Sequence, residues 1–244
     1  NVSEGKAGNS RRDAVMEGLE VRSGKSYLDV GCGGGHLVRE LGNATGNEGR
    51  VVGIDSSPQM LENARAICEG LACVSVTEGA ATEIPSDDAQ FDGLAALQVY
   101  EYVEDVSAAL EEARRVLKPG CPIAIVSILW EHCRFYGAER ELNEKINEAW
   151  RAHCFHQMLP LELPALLEKN SFGSLTRTNI SFLDTALHAG TTGYYLSKLI
   201  AKFAISQGVS EEDAKLWLSQ LDDANREERF GFVNFPVLAV ATAI

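Results

Sequence analysis

The chain contains no apolar run approaching the ~20 residues a membrane-crossing helix needs. Its polar start, Asn1-Val2-Ser3-Glu4-Gly5-Lys6, lacks the apolar centre of a signal peptide. Basic residues are scarce: 22 Lys and Arg stand against 35 Asp and Glu, leaving a formal net charge of −13. Binding nucleic acid through its phosphates requires clustered Lys and Arg. The densest pairs here, Arg11-Arg12 and Arg114-Arg115, extend into no stripe, so no nucleic-acid partner is expected. The cysteines Cys32, Cys68, Cys73, Cys121, Cys133 and Cys154 show neither the paired short spacings of a zinc site nor the framework of a small secreted domain. Free, mostly buried thiols in a reducing, cytoplasmic compartment are the expectation, with no metal site. No internal repeat, heptad array or low-complexity tract is present.

The remaining composition is that of a folded enzyme-sized unit. With 45% hydrophobic and 23% charged residues, 244 residues supply the core of one α/β domain with insertions. The most informative segment is Leu28-Asp29-Val30-Gly31-Cys32-Gly33-Gly34-Gly35-His36-Leu37, an apolar strand, a glycine turn and a helix start. About twenty residues on, Val51-Val52-Gly53-Ile54-Asp55 is a second strand ending in a carboxylate. Glycines let the backbone approach a ligand, and an acid at the next strand tip accepts from both hydroxyls of a ribose. In the dinucleotide fingerprint the third glycine falls three residues after the second. Here that position is His36, so the spacing of a nicotinamide cofactor site is not met.

An acid, one residue, then Gly-x-Gly-x-Gly resembles motif I of the class I S-adenosylmethionine-dependent methyltransferases. The resemblance extends over about residues 20–129: Glu78-Gly79-Ala80-Ala81-Thr82-Glu83-Ile84-Pro85, Phe91-Asp92-Gly93, Val103-Glu104-Asp105 and Arg114-Arg115-Val116-Leu117-Lys118-Pro119-Gly120 follow in the family's order. The segment looks like the small-molecule subgroup that includes quinone and sterol methyltransferases. It implies S-adenosyl-L-methionine as cofactor, S-adenosyl-L-homocysteine as product, and a small-molecule methyl acceptor. Asp29 would pair with the amino group and the turn of Gly31, Cys32, Gly33 and Gly35 would face the carboxylate. Asp55 and Ser56 would take the ribose, and Met60, Gly79, Ala80, Ala81 and Gln98 would complete the site. Where many relatives carry Gly-Asp-Ala, this chain has Gly79-Ala80-Ala81. Adenine recognition then falls to backbone groups, Thr82 or water.

Strands alternating with helices imply βαβ crossovers and a parallel sheet. The implied fold is a doubly wound, Rossmann-like, seven-stranded, mostly parallel sheet with an antiparallel last strand and a helical cap insertion. One methyltransferase domain over residues 1–244 is expected, with its cofactor core at 20–129 and cap segments at 130–158 and 185–230. Expected elements include a leading helix over 11–22, a strand over 173–182, helices over 191–206 and 210–228, and a final strand over 232–241.

Methyl transfer is an in-line displacement from an activated sulfonium, so alignment supplies much of the catalysis. A base is needed only when the nucleophile must lose a proton. His132 and Glu101, just past two central strands, are the candidates for that role. Tyr100, Trp130, His153, His156 and Tyr194 are the candidate acceptor-pocket residues. The Asn/Asp-Pro-Pro-Tyr/Phe tetrad used on nucleic-acid and amide nitrogens is absent, as are the paired-glutamate loop of arginine methyltransferases and the Asp/Asn cluster of catechol-type, Mg²⁺-dependent enzymes. Transfer to oxygen or nitrogen of a small metabolite is the expected function. Carbon methylation of a quinone- or sterol-like substrate, and a non-catalytic S-adenosylmethionine-binding module, are its rivals.

Overall fold

A computed structural model describes residues 5–244 of the protein. Helix α1 (Lys6–Gly18) leads into an alternation of β1 (Ser26–Val30), α2 (His36–Thr45), β2 (Arg50–Asp55), α3 (Pro58–Ile67), β3 (Val74–Glu78), β4 (Gly93–Leu97), α4 (Val106–Val116) and β5 (Pro122–Ile128). Then follow β6 (Arg134–Tyr136), α5 (Arg140–Trp150), α6 (Leu159–Lys169), β7 (Phe172–Asn179), β8 (Phe182–Asp184), α7 (Thr192–Ser206), α8 (Glu211–Arg226), β9 (Gly231–Asn234) and β10 (Pro236–Ala243). Seven strands form one sheet in the order β3-β2-β1-β4-β5-β10-β7, in which only β10 runs against its neighbours. β1 pairs with β2 on one side and β4 on the other, Leu28 lying opposite both Val52 and Leu94. The strand order reverses there, which opens a crevice at the carboxyl ends of β1 and β4.

The sequence explains the layers. From Ile123 to Ile128, β5 is buried residue by residue, as a central strand covered on both faces must be. One core packs α4 and α6 against the sheet, around Phe91, Leu94, Leu110 and Leu163. The opposite face packs α1 and α2 through Val15, Val38 and Leu41. A separate cap core gathers Phe135, Ile146, Trp150, Trp217 and Phe232 from the segments after β5. Among the described residues no helix is long and apolar enough to cross a membrane.

Three expectations need correcting. The leading helix lies earlier than 11–22 and ends at Gly18. Glu20 adopts a left-handed φ of 47°, and the Glu20 and Val21 amides bond back to Glu17 and Met16. That is a Schellman ending made without glycine, so the sequence carries no stop signal. The expected final strand is two strands, because the chain breaks at Phe235-Pro236 and β9 leaves the main sheet. β9 instead pairs antiparallel with both β6 and β8. The cap is therefore not purely helical: a three-stranded sheet joins its two segments, and the expected strand over 173–182 divides into β7 and β8.

Gly35 shows what the first crossover demands. It has φ +83°, and an added Cβ would lie 2.7 Å from the backbone Cα of Ala64 in α3. Gly24 has φ +76° with open space around it. Urea denaturation should show Gly35→Ala losing ~2–4 kcal/mol and Gly24→Ala about 1 kcal/mol, the difference being overpacking against rigid backbone. Equal losses would mean that α3 yields to the added methyl.

Candidate active site

Backbone geometry builds the first half of the crevice. Gly33 has φ +50° and nothing within 4 Å of where a Cβ would point, so its open side faces the space a ligand would take. Its amide donates to Asp55 Oδ2 at 2.9 Å, while the Ser57 amide donates to Oδ1 at 2.9 Å. Ser57 caps α3 and Pro58 opens it, as their sequence order anticipates. Two cavities meet at Gly31 and Gln98. One, about 150 Å³, is lined by Asp29, Gly31, Cys32, Gly33, Arg11 and Arg12 among others. The second, about 320 Å³, is lined by Asp55, Ser56, Gly79, Ala80, Ala81 and Thr82 together with Tyr102. Gln98 borders both with a left-handed φ of 59°, a strained backbone state for a non-glycine residue.

Asp29 is the electrostatic centre of the smaller cavity. Its carboxyl is buried and Oδ1 has no hydrogen-bond partner. Burial, reinforced by repulsion from Asp55, pushes its pKa up to about 8. Cys32 is also buried; burial and then Asp29 push its thiol well above the ordinary range, so it is inert wall. Gly35 lines neither cavity and serves packing. Met60 is exposed and lines neither; its amide donates to the Ser57 side chain at 3.4 Å.

The sequence reading expected a leading helix but not that it lines the site. Gly8, Arg11 and Arg12 are buried and line the smaller cavity. Arg12 is held by Glu40 at 2.7 Å and Asn9 at 2.6 Å, whereas Arg11 donates to the Gln98 side chain. The available signal was an Arg pair on an amphipathic helix in a strongly acidic chain.

On the acceptor side the structure sorts the candidates. Glu101 is fully buried in the short turn after β4. Burial pushes its pKa up to about 7, against the pull of nearby backbone amides, Arg11 and the Trp130 indole. His132 requires correction. The tight turn after β5 sends Trp130 inward and leaves His132 exposed, edge-on to Phe235 with centroids 6.3 Å apart. Tyr100 is core beneath the sheet, fully buried with an unpartnered hydroxyl, and not a pocket wall. His156 ties down a loop, its ring meeting Glu162 at 3.0 Å and the Glu104 carbonyl at 3.3 Å. Tyr194 packs beside the cap core with the Lys198 ammonium 3.6 Å above its ring, and it lines neither cavity. Trp130 and His153 do come together, at 4.5 Å, and His153 stacks on Trp150 at 3.9 Å. With Nδ1 on the Trp150 carbonyl and burial lowering its pKa to about 4, His153 is a neutral imidazole. Among the described residues no His, Cys, Asp and Glu group is arranged to hold a metal.

Residues 28–125 match the family model for a methyltransferase domain. A 37.1 kDa protein from transposon TN4556 of Streptomyces fradiae is 38% identical over 125 residues, 51% of this chain and 36% of that protein. Demethylmenaquinone methyltransferase of Staphylococcus aureus is 39% identical over 109 residues, 45% of each chain. The chain thus spans less than half the length of these curated relatives. Among solved structures, YcgJ of Bacillus subtilis superposes with a TM-score of 0.65 at 18% identity, over 96% of this chain and 98% of that one. Geranyl diphosphate C-methyltransferase of Streptomyces coelicolor superposes with a TM-score of 0.61 at 15% identity, over 97% and 79%. Residues 28–125 are thus similar to a methyltransferase domain, and the fold is the one these solved structures share.

The Asp29 environment has a measurable consequence. Its folded-state pKa, about 8, lies above the ordinary 3.8, so the fold binds this proton more tightly than the unfolded chain. The contribution is complete at low pH and is lost as pH rises through the folded-state value. Asp29→Asn should therefore stabilise the ligand-free protein by ~1–4 kcal/mol near pH 8, the gain closing towards pH 4. A gain that does not vary with pH, measured by chemical denaturation, would place the titrating carboxyl elsewhere.

Proposed function

We propose that this chain transfers the methyl group of S-adenosylmethionine to a small-molecule acceptor, at oxygen or nitrogen. The observation that carries the reading is the unpartnered buried carboxyl of Asp29 facing a cavity continuous with the Asp55 groove. An isolated buried carboxylate is costly unless a cation meets it, and the cofactor's ammonium is such a cation. Amides of the glycine turn would face its carboxylate. Asp55 keeps lone pairs for ribose hydroxyls, and Gly79, Ala80, Ala81 and Thr82 would border the adenine. When bound, the cofactor supplies a methyl group on a positively charged sulfur.

The chain's own residues do the rest. A third cavity, about 640 Å³, lies between α1, the β7–β8 connection and the start of α7, lined by Ser10, Asn179, Phe182, Asp184 and Thr192 among others. We read it as the acceptor's approach. Its cover excludes water and aligns the acceptor. Glu101, past the end of β4, is the base if the acceptor must lose a proton.

Carbon methylation is a second reading, favoured by the named activity of the demethylmenaquinone methyltransferase relatives. A non-catalytic binding module is a third: Gly79-Ala80-Ala81 lacks the acid many relatives carry.

Calorimetry with S-adenosylmethionine tests the cofactor half. Asp55→Ala should weaken binding by ~1–3 kcal/mol, the loss expected from unpairing buried polar groups. Unchanged affinity would remove Asp55 from the site. Incubating the protein with cell extract and methyl-labelled cofactor, then identifying the labelled product by mass spectrometry, separates the readings by the atom methylated. Tight binding with no labelled product would favour the binding module.

A further inference from the structure

The smaller cavity, about 150 Å³, is walled by buried groups of both signs. Asp29 lines it from β1, 2% exposed, with Oδ1 unpartnered. Arg11 lines it from α1, 4% exposed, with Nε and Nη2 unpartnered. Its remaining nitrogen, Nη1, donates to the Gln98 side chain. Buried polar atoms are normally paired, yet here neither charged group satisfies the other. Arg12 also lines the cavity, but it is engaged with Glu40 and Asn9.

The glycine turn on the facing wall has few donors to add. The Cys32 amide donates to the Ile54 carbonyl at 2.8 Å, the Gly35 amide to the Cys32 carbonyl at 3.0 Å, and the Gly33 amide to Asp55. An anion entering here therefore needs a side-chain partner. Nε and Nη2 are the two nitrogens along one edge of the guanidinium, the fork that meets a carboxylate with two parallel bonds. The Gln98 oxygen on Nη1 holds that fork in place. Arg11 also remains a cation at neutral pH, since burial lowers its pKa to about 10. Size sets the rest. The cavity has about half of the ~300 Å³ at which whole small-molecule sites begin. It can take one end of a ligand whose body lies in the adjoining cavity, which meets it at Gly31 and Gln98.

Resting on the methyltransferase reading above, we propose that Arg11 binds the α-carboxylate of S-adenosylmethionine while Asp29 binds its ammonium. Helix α1 then makes the site selective for a cofactor with an intact α-amino-acid end. A lone anion is repelled by ionised Asp29, and a lone cation by Arg11. A zwitterion whose two charges hang from one carbon meets both. It closes the open bonds of both side chains, whereas an apolar or singly charged end leaves one or both unpaired at the full cost of their desolvation. Arg11 precedes residues 28–125, so this partner comes from outside the part of the chain that resembles a methyltransferase domain.

Calorimetry with two ligands tests this: S-adenosylhomocysteine, and its decarboxylated analogue, which keeps the ammonium and lacks only the carboxylate. Wild type should bind S-adenosylhomocysteine roughly 10- to 100-fold more tightly than the analogue, the worth of hydrogen bonds between charged groups. Arg11→Met should erase most of that preference, weakening S-adenosylhomocysteine by a similar factor and changing the analogue by no more than about twofold. Arg11→Lys, which keeps the charge without the fork, should retain part of the preference, and it carries the test if Arg11→Met fails to fold. A guanidinium that served only the fold would cost the two ligands alike. Equal affinity of wild type for the two ligands, an equal loss for both in an Arg11 variant, or a preference undiminished in the variants overturns the proposal while leaving the cofactor reading intact. Failure of wild type to bind S-adenosylhomocysteine at all overturns both.

Discussion

The carboxylate of Asp55 fastens two crossovers together. One oxygen accepts from the Gly33 amide in the β1–α2 turn, and the other from the Ser57 amide where α3 begins. Each bond is charge-assisted, and together they set the width of the crevice from a single side chain. Gly35 completes the clamp by bringing its backbone against Ala64 of α3. A glycine turn alone would be a flexible loop. Anchored on both sides it becomes a fixed wall, and the cavities meeting at Gly31 and Gln98 inherit their shape from it.

Around that wall the protein leaves buried charge uncompensated. Asp29 and Glu101 have raised pKa values because burial disfavours their ionised forms, and Arg11 has its pKa lowered to about 10 for the same reason. None of the three is needed to hold the sheet, whose cohesion comes from apolar runs such as Ile123 to Ile128. Unsatisfied polar groups beside a strained Gln98 backbone mark places where folding stability has been given up for a site. Two of them share one cavity: Asp29 lines the smaller one from β1 and Arg11 lines it from α1.

Legibility from sequence followed the physics of each part. The central strands were readable because they are apolar runs bounded by helix punctuation, as at Ser57-Pro58 and Lys118-Pro119-Gly120. The glycine turn and its junction with Asp55 were readable because glycine spacing and strand-end acids act through backbone position, which sequence order encodes directly. What depended on rotation or long-range pairing was not. The turn after β5 decides that Trp130 points in and His132 out, and no local pattern signals the difference. The mini-sheet of β6, β8 and β9 joins segments about fifty residues or more apart through stretches of three or four residues, too short to show alternation. The start of α1 was misplaced, and its non-glycine ending gave no stop signal.

This division has a functional meaning. The family match ends at residue 125 and begins at residue 28. It covers the cradle of Asp29, Gly33, Asp55 and Gly79, and it includes Glu101. It omits Arg11, Phe182, Asp184 and the whole cap. The glycine turn and the strand-end acids therefore lie within the matched core, and the residues lining the largest of the three cavities lie outside it, on α1 and the cap. Glu101 belongs to the matched core, whereas Arg11 stands on α1 outside it. A fold does not fix its chemistry, which is carried by the side chains set on it, and here α1 and the cap set theirs outside the matched core.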